Sequence, residues 1–156
     1  MAVTSSHNHQ SCIKHAFERA DAICLGKGAR FTPLRKRILE LVWNNHKPAK
    51  AYDLLDILHK EDKSAKPMTV YRTLEFLQTL GLVHKIDSLN AYVGCTHPEQ
   101  NHSCQFLICG QCGDVKESCD MGVFEAVKAS AGIHHFKVER QMIEVHGVCM
   151  HCLDKA

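Results

Sequence analysis

The chain has 156 residues, which is enough for one ordinary domain or two small ones. Hydrophobic residues make up 45% and charged residues 23%, so the composition is that of a globular protein rather than a disordered one. No apolar run reaches the ~20 residues that a membrane-spanning helix needs, and the polar segment 1–10 lacks the pattern of a secretory signal. We therefore expect a soluble, cytoplasmic protein.

The two halves of the chain differ in charge, although the net charge is only +2. Residues 1–90 carry 14 Lys and Arg against 9 Asp and Glu, whereas residues 91–156 carry 5 against 8. A basic first half joined to an acidic second half favours anion binding by the first. We accordingly expect two domains, 1–90 and 91–156, with residues 1–10 as a flexible polar tail.

The first half has helical periodicity in four segments, at about 11–25, 33–44, 51–60 and 67–80. Thr32 precedes Pro33 as an N-cap precedes the first residue of a helix, and Gly81 stands where a glycine ends one. Two short strands at about 82–87 and 91–94 form a hairpin. This order predicts a winged helix-turn-helix, in which the helix from Pro67 to Leu80 faces DNA.

The second half is predicted to be a small α/β domain. Strands are expected at 105–108 and 114–117, then a helix capped by Asp120 and ending near Gly132, and a longer strand at 136–145. The whole chain is therefore predicted to have an α+β fold.

Cysteine is strongly enriched, with nine Cys and twelve His in the chain and seven of the nine Cys between Cys95 and Cys152. Two C-x-x-C knuckles, 109–112 and 149–152, are separated by 36 residues. Each knuckle follows a predicted strand, so folding of the sheet brings them together. Four thiolates make a closed tetrahedral zinc site, which is structural rather than catalytic. The alternative is two separate redox pairs or buried free thiols.

A second group of ligand-type residues surrounds the hairpin and the first knuckle. His84 lies on the first hairpin strand, and the ladder brings it next to Cys95. His102 and Glu117 flank the first knuckle. One thiolate, two imidazoles and a carboxylate form an acceptable zinc set. The alternative is that His84 is an ordinary histidine of a wing strand and Glu117 a solvated strand residue.

The predicted helix 67–80 carries candidate DNA contacts. Its apolar stripe leaves Thr69, Arg72, Thr73 and, to one side, Tyr71 directed outward. In a helix-turn-helix these turns enter the major groove, where Arg bonds guanine and Tyr or Thr meets a thymine methyl group or a phosphate. The alternative is an ordinary exposed helix face.

Six motifs together resemble the ferric-uptake-regulator (Fur) superfamily over about residues 12–153. Those of the first half are T-P-L-R-K-R-I-L (32–39), A-Y-D-L-L (51–55), K-P-M-T-V-Y-R-T-L (66–74) and G-L-V-H-K (81–85). Those of the second half are C-G-Q-C-G-D-V-K-E (109–117) and H-G-V-C-M-H-C (146–152). The resemblance implies that the second domain mediates dimerisation.

The resemblance also assigns residues. The structural zinc site comprises Cys109, Cys112, Cys149 and Cys152. Tyr71 and Arg72 are implied to contact bases. The full set of DNA-binding candidates is Tyr71, Arg72, Thr69, Thr73, Arg35 and Tyr52.

Within the superfamily the sequence is most similar to the zinc-uptake regulators (Zur). The H-H-x-H run that precedes the first knuckle in iron-type members is replaced by H-P-E-Q-N-H at 97–102. Phe124 and Val138 stand where iron-type members have an acidic ligand and a His ligand. The four sensing-site residues of zinc-type members are instead present, namely His84, Cys95, His102 and Glu117.

The function implied is that of a zinc-responsive transcriptional repressor. It would bind palindromic operators of zinc-uptake genes as a homodimer with two Zn²⁺ per chain, with no membrane partner and no small-molecule substrate. The alternative within the superfamily is an iron- or peroxide-sensing regulator.

An enzyme is a further alternative, because His97-x-Glu99 followed by C-x-x-C resembles the signature of zinc deaminases. Ile108 rather than Pro precedes the first knuckle, however, and the second knuckle would be left unused. We therefore expect no enzymatic activity.

Overall fold

The structure, a computed structural model, describes residues 9–44, 47–98 and 103–155. The chain forms two compact units, Met1–Glu99 and Gln100–Ala156. This division comes later than the expected one after Asn90, because the second hairpin strand pairs with the first and so belongs to the first unit. Residues 1–8 of the expected tail lie outside the described residues, and the first helix already begins at His9.

The first unit consists of four helices followed by a two-stranded hairpin. The helices are α1 (His9–Gly26), α2 (Pro33–Trp43), α3 (Ala51–Glu61) and α4 (Pro67–Thr79), and the strands are β1 (Val83–Ile86) and β2 (Ala91–Gly94). The α+β fold with a helical first half and a small sheet domain is confirmed.

No helix in the described part of the chain is long and apolar enough to cross a bilayer.

Local sequence explains where the helices begin and how they pack. The Thr32 side chain accepts a hydrogen bond from the Arg35 backbone N–H at 3.4 Å, and Pro33 occupies the first turn of α2. Each of the four helices turns an apolar stripe inward. The shared core includes Ala20, Cys24, Ile38, Leu39, Val42, Leu54, Leu58, Val70, Leu74 and Leu77.

The hairpin is fastened to the helices by a third chain segment. Ala49, between α2 and α3, forms a two-way backbone bridge with Tyr92, with both N···O distances at 2.8 Å. A 3₁₀ turn over Asp87–Leu89 and the left-handed Asn90 (φ 46°) reverse the chain between the strands. The pairing sets His84 opposite Val93.

The second unit is built on a three-stranded sheet in the order β4-β3-β5. Its elements are β3 (Cys104–Cys109), β4 (Val115–Ser118), α5 (Met121–Ile133), β5 (Met142–Gly147) and the short α6 (Met150–Leu153). β3 pairs antiparallel with β4 and parallel with β5. Asp120 caps α5 through a 2.7 Å hydrogen bond from the Gly122 backbone N–H.

The prediction that the last strand begins at residue 136 is wrong. β5 begins at Met142, which pairs with Cys104, the first residue of β3. The segment before it leaves α5 through a left-handed His135 (φ 54°), and Phe136 is 68% exposed. Residues 136–141 precede the start of the parallel ladder, so their strand propensity is not realised.

Gly94, the last residue of β2, lies directly under the indole of Trp43 from α2. A Cβ atom built on Gly94 would be 2.7 Å from Trp43 Cζ2 and closer still to Cε2 and Nε1. Real Cβ atoms do not approach so closely, so only glycine allows the strand to pack against this ring. The contact fixes the position of β2 at Gly94, the residue that precedes Cys95.

We expect Gly94→Ala to destabilise the first unit by about 1–3 kcal/mol, because the added methyl group overpacks the Trp43 contact. Urea denaturation measures the change in the free energy of unfolding. Gly26→Ala is the matched control, since a Cβ at Gly26 has no atom within 4 Å. Equal stability of the two variants would show that Trp43 does not cover Gly94 in solution.

Candidate metal centre and nucleic-acid interface

The sheet of the second unit brings the two C-x-x-C knuckles together. Cys109 ends β3 and is aligned with Gly147, the last residue of β5, in the parallel ladder. The Gly110 N–H donates to the Gly147 carbonyl at 2.9 Å, which extends the pairing into the first knuckle. The second knuckle starts two residues after Gly147, so both knuckles leave the sheet at the same edge.

The four thiols form a compact donor set. The Sγ atoms of Cys109, Cys112, Cys149 and Cys152 all lie within 4.8 Å of one another. Cys112 Sγ and Cys149 Sγ are 3.7 Å apart. Tetrahedral zinc with Zn–S bonds of about 2.3 Å requires S···S separations of about 3.8 Å. The donor set therefore has the composition and spacing that a structural zinc ion requires.

The electrostatics of the cluster also favour a cation. Backbone N–H groups of Cys112, Cys149 and Gln111 lower the pKa of Cys109 to about 6, and the Cys149 N–H lies 3.4 Å from Cys109 Sγ. A hydrogen bond with Cys149 and, to a lesser extent, burial raise the pKa of Cys152 to about 12. The Cys109 thiolate therefore forms readily, whereas the raised pKa of Cys152 shows that a second negative charge in the cluster is unfavourable. A divalent ion would balance the charge of the four deprotonated thiols.

Two of the predicted sensing residues share one face of the hairpin. His84 is opposite Val93, and the Cys95 N–H donates to the Leu82 carbonyl at 3.0 Å. Because side chains alternate along a strand, His84 and Cys95 are diagonal neighbours on the same face. Cys95 is 2% exposed, and His84 is half-buried.

The other two predicted sensing residues belong to the second unit. Glu117 lies on β4 opposite Phe106, whereas His102 lies outside the described residues. Cys104, which no sequence motif marks as a ligand, donates a hydrogen bond from its thiol to Glu117 Oε1 at 3.2 Å. The C-G-Q-C turn joins β3 to β4 and sets their antiparallel register. Extending that register back from the turn to Cys104 is how the sequence could have predicted the contact.

α4 presents three of its four candidate DNA contacts. Thr69, Tyr71 and Arg72 are exposed, with Tyr71 at 52%. The prediction that Thr73 points outward is wrong, because Thr73 is only 6% exposed. It lies three residues after Val70 on the same face, within the stripe that packs into the core.

The two remaining DNA-binding candidates differ in their surroundings. Tyr52, in the first turn of α3, is largely exposed. The Arg35 guanidinium lies 3.3 Å from the centroid of the Phe76 ring and donates to the Arg30 carbonyl. Arg35 therefore packs α2 against α4, which reduces its freedom to reach a phosphate.

Comparison with known proteins identifies the relatives of this chain. The sequence pattern of the Ferric uptake regulator family matches residues 26–146. The zinc uptake regulation protein of Escherichia coli (strain K12) is 40% identical over 137 residues, which cover 87% of this chain and 80% of that protein. The peroxide-responsive repressor PerR of Staphylococcus aureus (strain USA300) is 27% identical over 146 residues, which cover 92% and 95%.

A solved structure agrees with this assignment. A zinc uptake regulator complexed with zinc and DNA has a TM-score of 0.85 and 37% sequence identity, covering 96% of this chain and 98% of that one. The family pattern spans most of the chain, and a 40% identical relative aligns with most of it. The chain therefore belongs to the ferric uptake regulator family.

Proposed function

We propose that this chain is a zinc-responsive transcriptional repressor that binds palindromic operators of zinc-uptake genes as a zinc-loaded homodimer. The observation that carries this proposal is the similarity, over nearly the whole chain, to a zinc uptake regulator solved with zinc and DNA. The exposed face of α4 and the four-thiol cluster supply the two binding chemistries that this function needs. Repression requires access to operator DNA, which supports a cytoplasmic location.

The named relatives argue against the alternatives. The peroxide-responsive relative is less similar than the zinc uptake relative, at 27% against 40% identity. The thiol of Cys95 also favours zinc over iron, which the family binds through His, Asp and Glu. Both relatives are regulators by name, which argues against a deaminase-like enzyme and against a small-molecule substrate.

Homodimer formation is supported by the surface of the second unit. Its described residues bury few apolar side chains, and α5 buries none. Leu107, Val145 and Val148 remain more than 40% exposed around the sheet. An apolar surface of this kind is typical of a protein interface, and a two-fold dimer matches the symmetry of a palindromic operator.

Zinc is proposed to occupy two sites in each chain. Cys109, Cys112, Cys149 and Cys152 hold the structural ion. His84, Cys95, His102 and Glu117 hold the sensing ion. The hairpin and the dimerisation unit each contribute ligands to the sensing site, so filling it couples zinc concentration to DNA affinity, and DNA binding in turn raises zinc affinity.

Metal analysis combined with a DNA-binding titration across buffered free zinc tests the proposed function. We expect about two zinc ions per chain and an operator affinity that rises with free zinc. Operator affinity that is independent of zinc would overturn the sensing function.

We expect Arg72→Ala to lower operator affinity by about 1–3 kcal/mol, because a bidentate Arg–guanine contact contributes about that much discrimination. Fluorescence anisotropy with operator and random DNA measures the change, and random DNA should be affected much less. Arg140→Ala is the control, since Arg140 is also exposed but lies in the second unit. An equal loss on both DNAs would make Arg72 a phosphate contact.

We expect Cys109→Ser to lose one zinc per chain and to unfold or aggregate the second unit, because binding of a structural zinc ion contributes directly to folding. Metal analysis and circular dichroism follow the two effects. Cys119→Ser, which changes an exposed cysteine of the same unit outside the cluster, should retain zinc and fold. A stable, zinc-responsive Cys109→Ser dimer would contradict the structural role.

We expect Cys95→Ser to keep the dimer and the structural zinc but to lose about one zinc per chain. Its operator affinity should fall roughly five- to 150-fold, which is the usual range of allosteric coupling, and should no longer respond to zinc. Analytical ultracentrifugation and the zinc-buffered DNA titration make both measurements. Unfolding of this variant would mean that the structural and sensing roles are exchanged.

A further inference from the structure

Cys104 lies outside both proposed ligand sets, yet it contacts one of their members. It is the first residue of β3 and is only 3% exposed. Its Sγ donates a hydrogen bond to Glu117 Oε1 over 3.2 Å. A buried donor directed at a candidate ligand is the arrangement that orients ligands in metal sites.

The sheet holds this pair in a fixed geometry. Cys104 is aligned with Met142 in the parallel ladder, and Glu117 is opposite Phe106 in the antiparallel one. Cys104 and Phe106 share a face because they are two residues apart on one strand. Cys104 and Glu117 are therefore diagonal neighbours, a relation that brings long side chains within reach of each other.

A clamp of hydrogen bonds secures the same end of the sheet. The buried Gln105 side chain donates through Nε2 to the Asp120 carbonyl, and its Oε1 accepts from the Asp120 N–H, both at 3.3 Å. This two-way contact ties the start of β3 to Asp120, the N-cap of α5, which lies two residues after the end of β4. The backbone that carries Cys104 and Glu117 is thus held from both strands.

We propose that Cys104 is a positioning residue for Glu117, which it holds so that Oε1 accepts the thiol hydrogen bond and Oε2 is presented to the sensing zinc. This inference rests on the proposed function, since it takes Glu117 as a ligand. Cys104 donates rather than ligates because the proposed set already supplies the four ligands that zinc prefers.

The test compares Cys104→Ala with Cys104→Ser in the full-length protein. Competition with a zinc chelator measures the affinity of the second zinc equivalent. We expect Ala to weaken it about 10- to 100-fold, the usual effect of removing an orienting partner, and Ser to retain it because the hydroxyl still donates. Retention of the first, structural zinc equivalent shows that each variant is folded.

Cobalt substitution separates positioning from ligation. With Co²⁺ in the second site, the sulfur-to-metal charge-transfer band should keep its intensity in both Cys104 variants. A fall in that band would make Cys104 a ligand and overturn the proposal. Cys119→Ala is the matched control. The Cys119 thiol contacts Cys104, but the hydrogen bond to Glu117 is donated by Cys104.

The remaining outcomes are equally decisive. Equal weakening by Cys104→Ala and Cys119→Ala, or no weakening by either, would overturn the role of Cys104 while leaving the proposed function intact. A wild-type chain that binds no second zinc would overturn the sensing function and, with it, the role of Cys104.

Discussion

The parallel pairing of β3 with β5 is the interaction on which the second unit depends. It aligns Cys109 with Gly147 and so places all four knuckle thiols within 4.8 Å of one another. The buried apolar residues among the described part of this unit, Cys104, Phe106, Ile108 and Cys109, all come from β3. A single strand cannot supply a full core, and metal ligation together with burial against a second subunit compensates for this in small domains.

The first unit is stabilised in a different way. Four helices and the hairpin contribute to one apolar cluster, and the Ala49–Tyr92 bridge attaches the hairpin to the helices. This core contains no proposed metal ligand set of its own, so loss of Cys95, a proposed sensing ligand, is expected to leave its packing largely in place. The contrast explains why cysteines of similar burial, Cys95 and Cys109, are given opposite roles.

Local signals in the sequence were sufficient for much of the fold. Thr32 capping and the breaks at proline and glycine specify helices and turns through short-range chemistry, and the two C-x-x-C spacings mark the four cysteines of the cluster. Thr73 is polar but lies in the buried phase of α4, so its polarity alone is a poor guide to its exposure. The start of β5 depends on its pairing with β3, and pairing between distant segments is not encoded within a local window. The contact of Cys104 with Glu117 follows instead from the register of the β3–β4 hairpin, which the C-G-Q-C turn sets.

Trp43 is the single tryptophan of the chain, and its ring rests against Gly94. The indole is therefore a built-in optical probe of the wing, since its emission depends on how closely β2 covers it. Cys95 follows Gly94 directly, so the intrinsic fluorescence of the unlabelled protein records local order beside a proposed zinc ligand. Stopped-flow fluorescence can thus resolve when the β1–β2 hairpin becomes ordered, without a thiol-reactive dye that would label the nine cysteines.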